Sequence, residues 1–347
     1  MLTKGIDESI HRGIIYLHQH QFPNGEFCNY IGSKDDLKEC VPHSHVFPTS
    51  LICFSLLQMK NIPEVKQMLQ LSSAFLQFQS MRAGVWNQLT NWSNGFSVYP
   101  CDVDNTSCAS IVLKALDKEY PDNKEILFDN RAKNGLFYTW YTLRFNKILK
   151  KDYWLIILRG FRNPFGAYRY WTTNEATRHD IDGVVNANVL YYLGLRAETQ
   201  PIIPYIISII EKNEEAECDL WYRNPLIVYY FFARNYYNGI YGLEPIKDPI
   251  IQRILLKVNQ NGSIGESALE TAMAIISLIS LGNKSDIIKK AASYLINTQN
   301  TYGEWPRWAI YYDGPSKKQV CGSEEITTAF CLESLAMYKS AFFNDKI

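Results

Sequence analysis

Five stretches of this chain superimpose without a gap, and this repetition constrains the fold more than any other feature. They are His45-VFPTSLICFSLL, Asp104-NTSCASIVLKAL, Asp182-GVVNANVLYYLG, Glu270-TAMAIISLISLG and Glu325-ITTAFCLESLAM. A sixth stretch, Tyr222-RNPLIVYYFFAR, shares with the first a proline three residues in. Beyond its first turn each is apolar nearly all round, the pattern of a helix buried on every side. Their starts lie 59, 78, 40, 48 and 55 residues apart, room in each interval for an intervening outer helix with its loops.

A second pattern accompanies them. Arg12-Gly13, Tyr16-Leu17, Gln21, Gly25 and Phe27 recur at the same spacing as Lys290-Ala291, Tyr294-Leu295, Gln299, Gly303 and Trp305, with a slipped third version at Phe75-Leu76, Gln79, Gly84 and Trp86. Physically this is an amphipathic helix that ends in a glycine turn, with the aromatic folded back on the helix end.

Buried helices alternating with amphipathic ones predict an all-α chain, an (α/α)6 toroid of inner and outer helices read as one domain over residues 1–347. No strand-like alternation competes, and no linker divides the chain. In such a ring the inner helices run the same way, so their N-termini surround one mouth. The gapless alignment then places His45, Asp104, Asp182, Glu270 and Glu325 together in the first turns at that mouth. A single acid there is a cap worth about 0.5–2 kcal/mol. Four acids converging on one opening repel one another, and that cost points to chemistry. Two starts carry a D-x-D pair, Asp102 with Asp104 and Asp180 with Asp182. Paired carboxyls hold a proton at neutral pH, and a helix N-terminus stabilises the conjugate base, a combination suited to a general acid.

Composition narrows the partners. The 35 Lys and Arg balance 35 Asp and Glu, which argues against a nucleic-acid binder. Eight scattered cysteines with no CxxC pair read as free thiols of a cytoplasmic protein. The N-terminus lacks the apolar run of a signal peptide, and no 18-residue apolar run exists, so membrane contact would be peripheral. The Pro201–Ile210 segment is apolar almost all round and reads as a buried helix, with contact to a membrane left open. The 23 Tyr, 17 Phe and 8 Trp exceed what a core of this size needs.

These motifs resemble those of the squalene–hopene and oxidosqualene cyclases, the class II terpene cyclases. The Arg12–Phe27 and Lys290–Trp305 repeats are similar to the family's QW motif, and Asp102-Val-Asp104-Asn105-Thr106 resembles its D-x-D-D-T-A box. The resemblance implies that Asp104 protonates an isoprenoid double bond, with Asp102 and Asn105 orienting its carboxyl. It implies aromatic faces around the migrating cation, at about 0.5–2 kcal/mol each. The aromatic candidates are Trp171, Tyr191, Tyr192, Tyr229, Tyr230 and Phe231. His45, Glu270 or Glu325 would quench the cation. No metal is required, although a diphosphate on the substrate would bring Mg2+. Two departures stand out: Asn105 replaces the last Asp of the box, and this chain is about half the usual length. A second barrel subunit, or a second copy, would then supply the other wall unless the cavity lies inside one barrel. The Asp180–Asp182 pair has no counterpart in the family pattern.

Other readings use the same residues. A zinc prenyltransferase-like barrel would draw ligands from Cys40, His43 or His45, and Asp104 or Asp182. An inverting glycosidase would need two carboxyls about 6.5–9.5 Å apart, such as Asp104 and Asp182. A barrel holding a lipid without chemistry is the third. Asp35-Asp36 with Glu39 looks like a class I metal box but reads as a solvated charge cluster beside Lys38. An aromatic cavity beneath Asp104 would favour isoprenoid chemistry, an open polar groove a glycan, and a filled core neither.

Overall fold

The computed structural model describes residues 2–144, 147, 149–158, 160–173, 176–314 and 316–343. Outer helix α1 (Leu2–His20) leads through strands β1 (Asn29–Gly32) and β2 (Cys40–His43) into inner helix α2 (Val46–Leu56). Outer helix α3 (Pro63–Gln79) follows, then β3 (Trp86–Asn87) and β4 (Cys101–Asp102), which runs straight into inner helix α4 (Val103–Ala115). The longest interval holds α5 (Lys124–Asp129), α6 (Lys151–Ile157) and α7 (Pro164–Thr173) before inner helix α8 (Gly183–Leu193). Next come α9 (Ile202–Lys212), α10 (Pro225–Tyr237), α11 (Lys247–Leu255), α12 (Ala268–Ser280) and α13 (Asp286–Thr298). Strands β5 (Ala309–Tyr312) and β6 (Val320–Gly322) deliver the chain to α14 (Glu324–Phe343).

The inner helices close a ring: α2 packs on α4, α4 on α8, α8 on α10, α10 on α12, α12 on α14, and α14 back on α2. Outside it, α1 packs on α14 between α13 and α3, and α3, α9, α11 and α13 each back one or two inner helices. This is the predicted all-α toroid. The two layers differ as their sequences require. In α12 every residue but Ile279 is buried. In α13 only Ile288, Ala291, Ala292 and Leu295 are, one stripe at helical spacing.

The aromatic turns fold as their pattern predicts. Trp305 Nε1 donates to Leu295 O at 2.8 Å, and Trp86 Nε1 to Leu76 O at 2.8 Å, so each indole caps the end of its own outer helix. In the Trp305 turn and the Phe27 turn the glutamine ties the turn to a neighbouring outer helix. Gln299 Nε2 donates to Gly303 O and Ser9 O, and Gln21 Nε2 to Gly25 O and Met68 O. A Cβ on Gly303 would sit 2.4 Å from the Arg12 carbonyl, at φ +104, so only glycine fits there.

Three expectations change. Short strands do exist: an antiparallel sheet in the order β2-β1-β6-β5, and the β3–β4 pair. They are two to four residues long, too short to show a period of two, and β2, β4 and β6 lie just ahead of inner-helix N-termini. The Pro201–Ile210 segment is not buried all round. In α9 only Ile202, Ile206, Ile209 and Ile210 are buried, because it lies in the outer layer. Among the described residues no helix is long and apolar enough to cross a membrane.

The third change is register. The first-turn residues do not share one helical position. His45 and Asp182 are N-caps, Asp104 is the second residue of α4, Glu270 the third of α12, and Glu325 the second of α14. Each residue turns a side chain by about 100°, so the three different positions aim their side chains in different directions and the five do not share one register.

Candidate active site

Asp102 N-caps α4, accepting the Asn105 N–H at 2.7 Å, and this fixes the first turn. Two residues on, Asp104 points into the ring. Asn188 of α8 donates Nδ2–H to Asp104 Oδ1 at 2.5 Å, and the Tyr222 hydroxyl donates to Oδ2 at 2.7 Å. Burial pushes the Asp104 carboxyl above the usual carboxylate range, while Asn188, Tyr222 and the Arg234 guanidinium pull it back. Burial also pushes Asp102 up, to about 7, against the hydrogen bonds from Asn105. The Asn105 amide donates to both Asp102 oxygens, at 3.0 and 2.9 Å. Asp102 and Asn105 therefore hold each other, and Asp104 takes its two hydrogen bonds from residues outside the motif.

On the mouth side of Asp104 lies a cavity of about 30 Å3, walled by Phe47, Trp140, Trp221, Tyr222 and Tyr311, with Asp102, Asp104 and Asn105 on its floor. That space is large enough for water. Gln88, Trp221 and Tyr311 separate it from a cavity of about 310 Å3 lined also by His43, His45, Tyr99 and Asp313. A third cavity, of about 270 Å3, opens beside Tyr99, Tyr141, Trp171 and Arg178.

The space beneath Asp104 is filled, the outcome that by itself favours neither isoprenoid nor glycan chemistry; the aromatic space lies on the mouth side of the carboxyl instead. Asn188 Oδ1 accepts from the Arg234 guanidinium of α10. That guanidinium sits over the rings of Phe54, Tyr191, Phe231 and Tyr230, with centroids at 4.7, 4.8, 4.7 and 5.5 Å. Three of the aromatics expected to face a substrate cation thus face a cation of the protein itself. Their inward direction was legible; the occupant was not.

The other sequence candidates take separate places. Trp171 packs edge-on to Trp140 at 5.9 Å, behind the cavity wall. Tyr192 donates to Asn123 and Tyr229 to Glu215, both away from Asp104. Asp180 accepts from Thr177 and from Trp140 Nε1 at 3.3 Å, bracing that indole. Asp182 accepts from Thr139 and from the Leu220 N–H. Burial pushes the proton affinity of Asp182 up, and burial together with the nearby Asp182 charge pushes that of Asp219 up. Neither Asp180 nor Asp182 lines the Asp104 cavity. Glu270 is spent on Asn224, Trp308 and the Glu266 N–H. Glu325 is buried and pushed up to about 7, with one carboxylate oxygen unpartnered. His45 accepts or shares hydrogen bonds with Asn29 and Tyr311, and burial lowers it to about 3, so the ring is neutral. Asp36 pairs with Lys38 at 3.1 Å. Among the described residues no three His, Cys, Asp or Glu side chains gather to hold a metal ion.

Sequence reasoning did not single out Asn188, Tyr222, Arg234, Phe47, Trp140, Trp221 or Tyr311. Asn188 and Arg234 carried a signal, being polar residues inside apolar inner-helix stretches.

No protein-family model matches the sequence, and no curated protein matches it. Solved structures do share the fold. A protein from Actinoplanes superimposes with a TM-score of 0.69 at 16% identity, over 96% of this chain and 99% of that one. The apo type II terpene cyclase MstE from Scytonema gives 0.69 at 14% identity, over 97% and 99%. A variant of MstE in complex with its substrate, geranylgeranyl dihydroxybenzoate, gives 0.66 at 14% identity, over 96% and 97%. The chain therefore has the toroid fold of a type II terpene cyclase along nearly its whole length.

Proposed function

We propose that this protein is a class II terpene cyclase that starts its reaction by proton transfer from Asp104 to a double bond of a linear isoprenoid. The observation that carries the reading is a buried carboxyl whose proton affinity is raised by desolvation, set beneath five aromatic side chains on the fold of MstE.

In the first step the π electrons of the terminal alkene take the Asp104 proton. A C–H bond forms, the O–H electron pair stays on the carboxylate, and the positive charge rests on the more substituted carbon. Asn188 and Tyr222 already donate to both carboxylate oxygens, so the new anion meets preorganised donors. The faces of Trp140, Trp221, Tyr222, Tyr311 and Phe47 surround the space where the cation forms. Each contributes about 0.5–2 kcal/mol. Ring closure moves the charge along the chain, and proton loss to a base ends it. Of the three bases considered, only His45 lines a cavity next to Asp104, and its imidazole is neutral and able to accept. Glu270 and Glu325 line neither cavity.

A cavity of about 30 Å3 does not hold an isoprenoid. Binding therefore requires Gln88, Trp221 and Tyr311 to turn aside and join it to the 310 Å3 space. No Lys or Arg is among the described residues that line these two spaces. A diphosphate would find no cation there, so the reading favours an isoprenoid with an uncharged polar or aryl head, such as a prenylated hydroxyaryl compound. If Mg2+ accompanied a diphosphate, Asp102, Asp104 and Asp313 are the groups that would have to hold it.

The test is product profiling with geranylgeranyl dihydroxybenzoate, geranylgeranyl diphosphate and squalene, in wild type and Asp104→Asn. Cyclised product from wild type alone, with the aryl substrate preferred, is the expected result. Product formation that survives Asp104→Asn would remove Asp104 from its role. Binding without turnover of any of the three would instead indicate a lipid-holding barrel.

A further inference from the structure

The longest interval between inner helices carries α6 and α7, and its surface is unlike that of an ordinary outer layer. Helix α6 buries Tyr153 and Ile156. Helix α7 sets Tyr170 and Trp171 against Trp140, at 5.9 Å each. A surface helix with one face so used should be polar on the other. Here the outer side is apolar too: Leu149 is 97% exposed and Phe165 80%, and Leu158, Phe161 and Tyr168 are each more than half exposed. Single exposed apolar residues are ordinary, but a run of them on consecutive elements marks a contact surface. Helix α9, the segment whose apolar sequence raised membrane contact, exposes no large apolar side chain.

Charge follows the same stretch. Between residues 147 and 169 the sequence has six basic residues and one acid, Asp152, in a chain balanced at 35 and 35. Lys147 and Lys150 share Asp129, at 2.9 and 3.4 Å. Lys151, Arg162 and, further on, Arg178 are exposed. Aromatic and aliphatic side chains interleaved with Lys and Arg are the chemistry of an interfacial helix, the rings entering the headgroup region and the cations meeting anionic lipid. A second copy of this chain would bring the same positive charge to the contact, so like charge opposes pairing through this face.

The 270 Å3 cavity opens in the same surface. Its walls include Val98, Ile156, Ile157 and Ala167, and its rim the exposed Leu143, Phe161, Tyr168 and Arg178. Tyr99 lines both this cavity and the 310 Å3 space next to Asp104. An apolar opening in an apolar, basic face is thus one side chain away from the path to the carboxyl.

We propose that α6 and α7 dock this protein on a bilayer that carries anionic lipid, with the 270 Å3 cavity as the port through which an isoprenoid passes from the acyl layer toward Asp104. The docking stands on exposure and charge alone; the port rests on the reading of Asp104 as the acid of an isoprenoid site.

Co-sedimentation of the full chain with extruded vesicles tests the docking. Binding to phosphatidylcholine vesicles with about one third phosphatidylserine should exceed binding to phosphatidylcholine alone by about tenfold or more, the contribution of two or three cations near an anionic surface. That preference should shrink when salt rises from about 0.1 to about 0.5 M. Leu149→Ser/Phe165→Ser should lose binding to both vesicles, and Lys151→Glu/Arg162→Glu should lose the preference for anionic lipid. All four side chains are exposed, so both variants should fold, as circular dichroism would show. Leu256→Ser, at a leucine 86% exposed at the end of α11, should bind like wild type. No binding of wild type to either vesicle overturns the proposal, and so does binding that Leu149→Ser/Phe165→Ser leaves unchanged. A concentration-dependent dimer that this variant abolishes, without vesicle binding, assigns the face to a second copy and overturns it too. For the port, turnover of vesicle-embedded substrate by the variant should fall in proportion to its lost binding, while detergent-dispersed substrate is cyclised as by wild type. Equal loss with both forms of substrate overturns the port. A wild type that binds vesicles but cyclises nothing fails the reading of Asp104 and leaves the docking standing.

Discussion

Replacing Asp102 by Asn should flatten the pH dependence of stability by an amount the structure defines. In the folded chain burial holds Asp102 at about 7, against about 3.9 for an unfolded aspartate. Between those values the folded protein binds a proton that the unfolded chain has released. Stability contributed by this group is therefore highest in acid and falls as pH rises, by at most about 1.4 kcal/mol per pH unit. Integrated from pH 5 to pH 7, the loss is about 2 kcal/mol. Asn cannot titrate, yet it still caps: its Oδ1 can accept the Asn105 N–H that Asp102 accepts at 2.7 Å, and Asn ranks with Asp at that position. The two proteins should have similar stability near pH 5, and the variant should be more stable by about 2 kcal/mol at pH 7. Urea denaturation followed by circular dichroism and tryptophan fluorescence, with superimposable transitions, measures this. Glu325 and Glu333, both near 7, make the wild-type slope steeper still, so the quantity to read is the difference between the two proteins. Equal pH dependence in both would refute the assignment of a retained proton to Asp102.

Tyr222→Phe removes the 2.7 Å donor to Asp104 and weakens the acid. A charge-assisted hydrogen bond is worth about 1.5–3 kcal/mol, so kcat for cyclisation should fall about tenfold or more and the alkaline limb of the rate profile should move up, as steady-state assays across pH would show. Trp305→Phe deletes the 2.8 Å bond to Leu295 O. It should cost about 1 kcal/mol, read as a lowered urea midpoint with unchanged dependence on Asp104.

How much of this was visible beforehand depends on what kind of signal each feature leaves. The ring was legible because burial on every side writes itself into α2, α4, α8, α10, α12 and α14 as unbroken apolar stretches. The turns at Trp305 and Trp86 were legible because one chemistry, a glutamine, a glycine and an indole, recurs with its spacing slipped by only one residue. The strands and the partition of Gln88, Trp221 and Tyr311 over the cavity left no such trace. They come from loops between repeats, where no period constrains the sequence, and their positions depend on which inner helices are neighbours.

The axis of the ring is the instructive case, because a better choice of register would have exposed it. Aligning the apolar stretches gaplessly set Asp104 level with His45, Asp182, Glu270 and Glu325, although these occupy three different positions within the first turns of their helices. The N-caps give a physical zero instead: Asp102, Asp182 and Asn224 for α4, α8 and α10, with Ser323 accepting the Ile326 N–H ahead of α14. Counted from those caps, Asp104 lies two residues down, Asn188 six, and Arg234 and Glu333 ten. At about 1.5 Å per residue, each step of four descends roughly 6 Å. Helices α4, α8 and α10 are successive neighbours, so the polar groups form a descending stair from the mouth to the arginine. Arg234 and Glu333 reach one depth on helices separated only by α12. A buried polar residue in an apolar helix must find a partner. In a closed ring of parallel inner helices, that partner can be sought about one turn up or down on the neighbouring members, which turns isolated oddities of sequence into one hydrogen-bonded array.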